Sequence, residues 1–183
     1  MDSSTLAYRL TARVDFMDDR ARWARFQGAG LEAVGSAPQP ASAAELRALC
    51  ADSLDLAHDP AKGGKPDDKS IEEAAVAVLG ERLGALRGLS RESTGYSEFV
   101  DADGVKWDVK SPFSPPADKP GWLFDANHQR DVLHDDLSNG EGILLDMTRV
   151  NRRDAGSLLE VLQTGLTQDE RGHVLLLLDE GLL

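Results

Sequence analysis

Three side chains in one short stretch, Ser97-Glu-Phe-Val-Asp-Ala-Asp-Gly-Val-Lys-Trp-Asp-Val-Lys-Ser111, are of the types that handle phosphate esters with a metal ion. They are Glu98, Asp108 and Lys110. Asp103-Gly104 marks a hairpin turn, and two closures fit it. A two-residue turn pairs Ala102 with Val105 and puts Phe99 on the face of Asp108 and Lys110. A three-residue turn over Ala102-Asp103-Gly104, with Gly104 left-handed, pairs Asp101 with Val105, Phe99 with Trp107 and Glu98 with Asp108. The second closure places Phe99, Val105, Trp107 and Val109 on one face and Glu98, Lys106, Asp108 and Lys110 on the other. A strand with one buried face requires such sorting, because a one-residue slip turns every side chain over. The three-residue turn is therefore the expected one.

That register opposes two carboxylates across the hairpin, which is unfavourable unless a cation lies between them. Mg²⁺ is typically held by one or two carboxylates together with phosphate oxygens and water. The expected chemistry is metal-assisted attack on a phosphodiester. Lys110 would orient the attacking water or neutralise charge in the transition state. The acid-x-Lys tripeptide carries little information by itself. Asp67-Asp68-Lys69 also matches it, in what reads as a loop, and a solvated Lys/Asp/Glu face needs no function.

The elements around the hairpin read as an α/β domain with a mixed central sheet flanked by helices and preceded by an N-terminal helical segment. Residues 1–58 read as helical, on the spacing of Leu6, Leu10 and Val14 and again over Ala44 to Leu56, with a loop at 35–42. Residues 59–69, DPAKGGKPDDK, form a polar linker. Residues 70–183 hold the rest: a helix capped by Ser70 with Glu72 and Glu73 in its first turn, the hairpin from about Tyr96 to Ser111, and a Pro-rich loop. A helix over Asp125–Leu137, a strand over Gly142–Met147, a helix over Asp154–Gln163 and a final strand over His173–Asp179 follow.

This order resembles the PD-(D/E)xK nuclease superfamily, whose core is a helix, a three-stranded meander, a helix and a strand. SEFVDADGVKWDVKSP looks like the C-terminal nuclease domains of bacterial polymorphic and contact-dependent inhibition toxins. The resemblance covers about residues 70–180. It implies Glu73, or its neighbour Glu72, as a third acidic ligand, so that Glu73, Glu98 and Asp108 hold Mg²⁺ or Mn²⁺ and Lys110 assists catalysis. It also implies a tRNA or DNA substrate, a cognate immunity protein, and action in the cytoplasm of a target cell after delivery from another. The chain departs from the pattern at Glu98, where many members have Asp, and at Ser97, where a proline is usual. Substrate contacts are expected from Gln129 and Arg130, on the helix after the hairpin. Arg149, Arg152 and Arg153, clustered after an apolar strand, could hold phosphates.

Other features restrict the reading. The net charge of −12 opposes nucleic-acid binding and suits a cationic partner, so the rival expectation is a non-catalytic binding protein on a degenerate nuclease scaffold. Aromatic residues make up only 5%, which argues against a stacking surface for single strands. Cys50 is the lone cysteine and reads as a buried thiol. No apolar run approaches a membrane span, and Met1–Leu10 lacks the features of a signal peptide. An EF-hand is excluded because its first and twelfth positions would be Phe99 and Lys110. His128 and His134 are badly spaced for zinc on one helix face, His173 reads as structural, and Gly28-Ala-Gly30 lacks the rest of a dinucleotide fingerprint.

Overall fold

The computed structural model describes residues 1–36, 41–116, 118–119 and 121–182. Residues 37–40 of the loop expected at 35–42, and 117 and 120 of the Pro-rich loop, lie outside the described residues, as does 183.

A seven-stranded mixed sheet organises the chain, in the order β2-β1-β7-β6-β5-β4-β3. Its strands are β1 (Ala21–Gln27), β2 (Gly30–Ala33), β3 (Ser90–Arg91), β4 (Phe99–Val100), β5 (Lys106–Lys110), β6 (Gly142–Asp146) and β7 (Val174–Asp179). β5, β6 and β7 run parallel, and every other pairing is antiparallel. Of the parallel strands, β6 and β7 are apolar runs, as strands covered on both faces must be, whereas β5 carries three charged residues. In β6, Leu144 joins the core on one side of the sheet, while Ile143 and Leu145 join the core on the other.

The first core is roofed by α1 (Ser3–Asp18), α2 (Ala43–Asp52) and α3 (Asp68–Arg82); the second by α4 (Ala126–Ser138) and α5 (Arg152–Gly165). A one-turn helix, α6 (Gln168–Gly172), leads into β7. On α1, Leu6, Leu10, Val14 and Met17 recur at helical spacing and are all buried. The Cys50 thiol is buried on α2, as expected.

The helical reading of residues 1–58 is corrected between 21 and 33, which form an antiparallel hairpin. Gln27 pairs with Gly30 across a two-residue turn, and Gly28 takes φ +57°. Such a turn requires left-handed backbone, which glycine adopts at no steric cost. β1 then pairs with β7 over five residues, Trp23 opposite Leu177. One core holds Leu10 and Trp23 from before the 59–69 stretch and Leu79 and Val109 from after it.

The start of α3 is also corrected. Asp67, not Ser70, is the N-cap: its carboxylate accepts from the Ser70 amide at 2.8 Å, and Ser70 Oγ accepts from the Asp67 amide at 2.9 Å. This reciprocal box starts the helix at Asp68, so Lys69 lies in its first turn rather than in a loop.

The hairpin has the three-residue closure. Phe99 opposes Trp107, and the Asp101 amide donates to the Val105 carbonyl at 3.0 Å. Gly104 has φ +82°. Asp101 locks the turn, accepting from the amides of Asp103 and Val105 and from the Trp107 indole, each at 2.9 Å. Phe99, Trp107 and Val109 are buried in the first core with Val105 packed against them.

Candidate metal centre

Glu98 precedes β4, and Asp108 lies mid-way along β5. The turn at Gly104 brings both carboxyl groups to one place, where they share a hydrogen bond. Glu98 Oε2 accepts from the Val109 amide at 3.2 Å. Two buried acids in contact cannot both ionise freely. Burial, the hydrogen bond with Asp108 and the charges of Asp108 and Glu73 push Glu98 up to about 9, against the opposing effect of Lys69. Asp108 moves the other way. Burial pushes it up, but hydrogen bonds with Glu98 and Lys110 and the Lys110 charge outweigh that and leave it below the ordinary value. The pair therefore favours sharing one proton, with Glu98 the more basic partner.

Lys110 is ion-paired to Asp108 and, at 2.9 Å, to Asp136 of α4. Its partial burial favours the neutral amine, yet the two carboxylates more than offset this and raise its pKa. Asp136 is raised, by burial first and by repulsion from Asp108, with Lys110 opposing.

Glu73 projects from α3 and is nearly fully buried. One of its oxygens lies 3.0 Å from Lys69 Nζ and the other 2.9 Å from Arg91 Nη2. Lys69 also lies 3.5 Å from Glu98. Burial works against the Lys69 ammonium, but the hydrogen bond to Glu73 and the charges of Glu73, Glu98 and Asp108 raise its pKa overall. Glu72 lines the cleft beside the site but is engaged by a different cation. Its carboxylate pairs with Arg13 at 2.6 Å, and Arg13 also reaches Asp146, at the end of β6, at 3.1 Å. Of the two adjacent glutamates, Glu73 is the one that joins Glu98 and Asp108.

Asp108 belongs to a second acidic group. Among the described residues, Asp108, Asp136 and Glu141 each offer an oxygen within 4.8 Å of the others, an arrangement that could hold a metal ion. Glu141 is steadied by Ser97 Oγ at 2.8 Å. The Glu73, Glu98 and Asp108 set is not drawn together so closely, because Lys69 stands between Glu73 and Glu98.

A cleft of about 630 Å³ opens beside the carboxylates, lined by Lys69, Glu73, Lys110 and Arg149 among others. A second recess, about 380 Å³, shares Lys110 and is lined by Phe113, Trp122, His128 and Gln129. Arg149 and Gln129 thus lie near Lys110. Arg130 pairs instead with Asp131, and Arg152 donates to the Gly181 carbonyl at 2.8 Å in a recess by the end of β7. Arg153 is exposed at the start of α5. The three arginines do not form one phosphate-binding group. His134 pairs with Glu170, and His173 contacts the Asp169 carbonyl, so neither joins a zinc-type cluster.

Reasoning from sequence missed Lys69, Asp136 and Glu141. The signal for Lys69 was the capping box, which fixes the helix start and thereby puts residues 69 and 73 one turn apart on the same face. Asp136 and Glu141 become neighbours of Asp108 only through the parallel pairing of β5 with β6, where Asp108 opposes Ile143. No local pattern encodes that.

No helix among the described residues is long and apolar enough to cross a membrane. No family model, curated protein or solved structure matches the chain.

Proposed function

We propose that the chain is a metal-dependent nuclease with a PD-(D/E)xK-like core, running from α3 through the β3–β4–β5 meander and α4 to β6. The observation that carries the reading is the contact between the Glu98 and Asp108 carboxyl groups, with the Lys110 ammonium two residues along the same strand. Two buried carboxyl groups in contact make a site short of positive charge. A divalent cation supplies that charge. Asp108 is common to both acidic groups, and Glu98 and Glu73 complete the set on the α3 side. All donors are carboxylates, which suits the hard ions Mg²⁺ and Mn²⁺.

When bound, such an ion polarises a phosphoryl oxygen and activates water. Asp108 and Glu98 would hold it, both as carboxylates. Lys110, fixed by Asp108 and Asp136, holds its protons and faces the cleft, where it neutralises charge on a phosphoryl group and orients the attacking water. Arg149 on the cleft wall offers a phosphate contact. A tRNA or DNA substrate, a toxin role in the cytoplasm of another cell and an immunity partner belong to the same proposal and rest on the resemblance of SEFVDADGVKWDVKSP alone.

The test is direct. The purified protein is incubated with total tRNA and with supercoiled plasmid, with Mg²⁺, Mn²⁺ or EDTA. Cleavage should require the metal and fall by at least about 100-fold in Asp108→Asn and in Lys110→Ala. Full activity in either variant overturns the assignment. Absence of both cleavage and metal binding favours the non-catalytic binding protein that the −12 charge also suits.

A further inference from the structure

Glu73 is held by two cations of different character. The Arg91 side chain is 8% exposed and is also within 3.4 Å of Asp59, so it is a fixed part of the structure. The Lys69 side chain is 65% exposed, although its ammonium contacts the buried Glu73 and Glu98. A long flexible stem on the first turn of α3 thus delivers one positive charge to two carboxylates and can swing out into solvent with its backbone unmoved.

We propose that Lys69 is the resident counter-ion of the site, a positioning residue that holds Glu73 and Glu98 together and exchanges places with the divalent ion. The inference rests on the metal reading above and adds to it an order of events. The oxygens of Glu73 and Glu98 that a cation would take are the two that Lys69 now engages. Arg91 stays on the far oxygen of Glu73 and keeps that side chain in place. The Lys69 ammonium then moves to the rim of the cleft that it lines with Lys110 and Arg149, where it adds a third cation for a phosphate. The cleft is also lined by Asp68, Glu72 and Glu73, so metal loading, by neutralising Glu73 and freeing the Lys69 ammonium, would shift its balance of charge toward accepting a phosphate.

The experiment is a titration of the full chain with MnCl₂, followed by calorimetry and by the paramagnetic signal of free Mn²⁺. Wild type is compared with Lys69→Gln, Lys69→Arg and Lys106→Gln. Lys106 is an exposed lysine on the same hairpin and controls for general loss of charge. Lys69→Gln should bind Mn²⁺ at least about fivefold more tightly, and its affinity should fall more steeply with added monovalent salt, because the site is more negative and no ion pair has to be broken. Lys69→Arg and Lys106→Gln should stay within about twofold of wild type. Circular dichroism confirms the fold of each. Equal or weaker binding by Lys69→Gln, alongside measurable binding by wild type, overturns the exchange and leaves the metal reading standing. An equal gain in Lys106→Gln also overturns it. Binding by none of the four proteins removes the metal reading itself.

Discussion

Burial first, and then the Asp108 carboxyl lying against it, favour the protonated form of Glu98, and this has a measurable sign. Its folded-state value of about 9 lies above the ordinary 4.5. The stabilisation from holding that proton is complete below about pH 4.5 and is lost progressively as pH rises to about 9. The urea midpoint of the metal-free protein should fall across that window, with no more than about 1.4 kcal/mol per pH unit from this one group. Glu98→Gln should flatten the fall. Parallel profiles for wild type and variant would rule out Glu98 as its source. Asp108, held below its ordinary value, acts in the opposite sense and only at the acid end, where stability is lost as pH falls. At this scale the residues of the hairpin were legible in the sequence, since the apolar sorting of Phe99, Trp107 and Val109 permits one register. Lys69 was not, because its role depends on where α3 begins.

The elements that carry the site are set by two local devices. Asp67 caps α3 and is lowered to about 2, first by its hydrogen bond with Lys62 and then by the Ser70 amide. Asp67→Ala should cost about 1 kcal/mol in chemical denaturation and should loosen the first turn, which carries Lys69 and, one turn on, Glu73. A variant as stable as wild type would show that packing on α1, not the cap, sets the helix start. Gly104 sits at φ +82° with open space around it, so a side chain there meets no atom and costs only backbone strain. Gly104→Ala is expected to destabilise by about 1 kcal/mol and to weaken Mn²⁺ binding by shifting Glu98 against Asp108. Unchanged metal affinity would uncouple the turn from the site. The strands of the second half were readable as apolar runs bounded by glycine and charge. The β1–β2 hairpin was not, because Ala21-Arg-Trp-Ala-Arg-Phe-Gln alternates imperfectly, and its burial comes from pairing with a strand 150 residues away.

For the whole molecule, the consequence of that distant pairing is that residues 1–58 share in the structure of the part that carries the site. α1 packs on α3 through a common core, Arg13 ties Glu72 to Asp146, and β1 adds a strand beside β7. Leu10 is completely buried at the centre of this contact, and Leu10→Ala should cost roughly 2–5 kcal/mol by thermal or urea unfolding. A loss under 1 kcal/mol would mean that the N-terminal helix is an accessory layer. Beyond energetics, the hairpin shields something. Val174-Leu-Leu-Leu-Leu-Asp179 is screened by β6 on one flank and by β1 on the other. Peeling β1 away bares a six-residue ladder of unsatisfied amides and carbonyls carrying four consecutive leucines, a template for another copy's strand. The first thirty-odd residues thus cover an edge that would otherwise template fibre-like self-association.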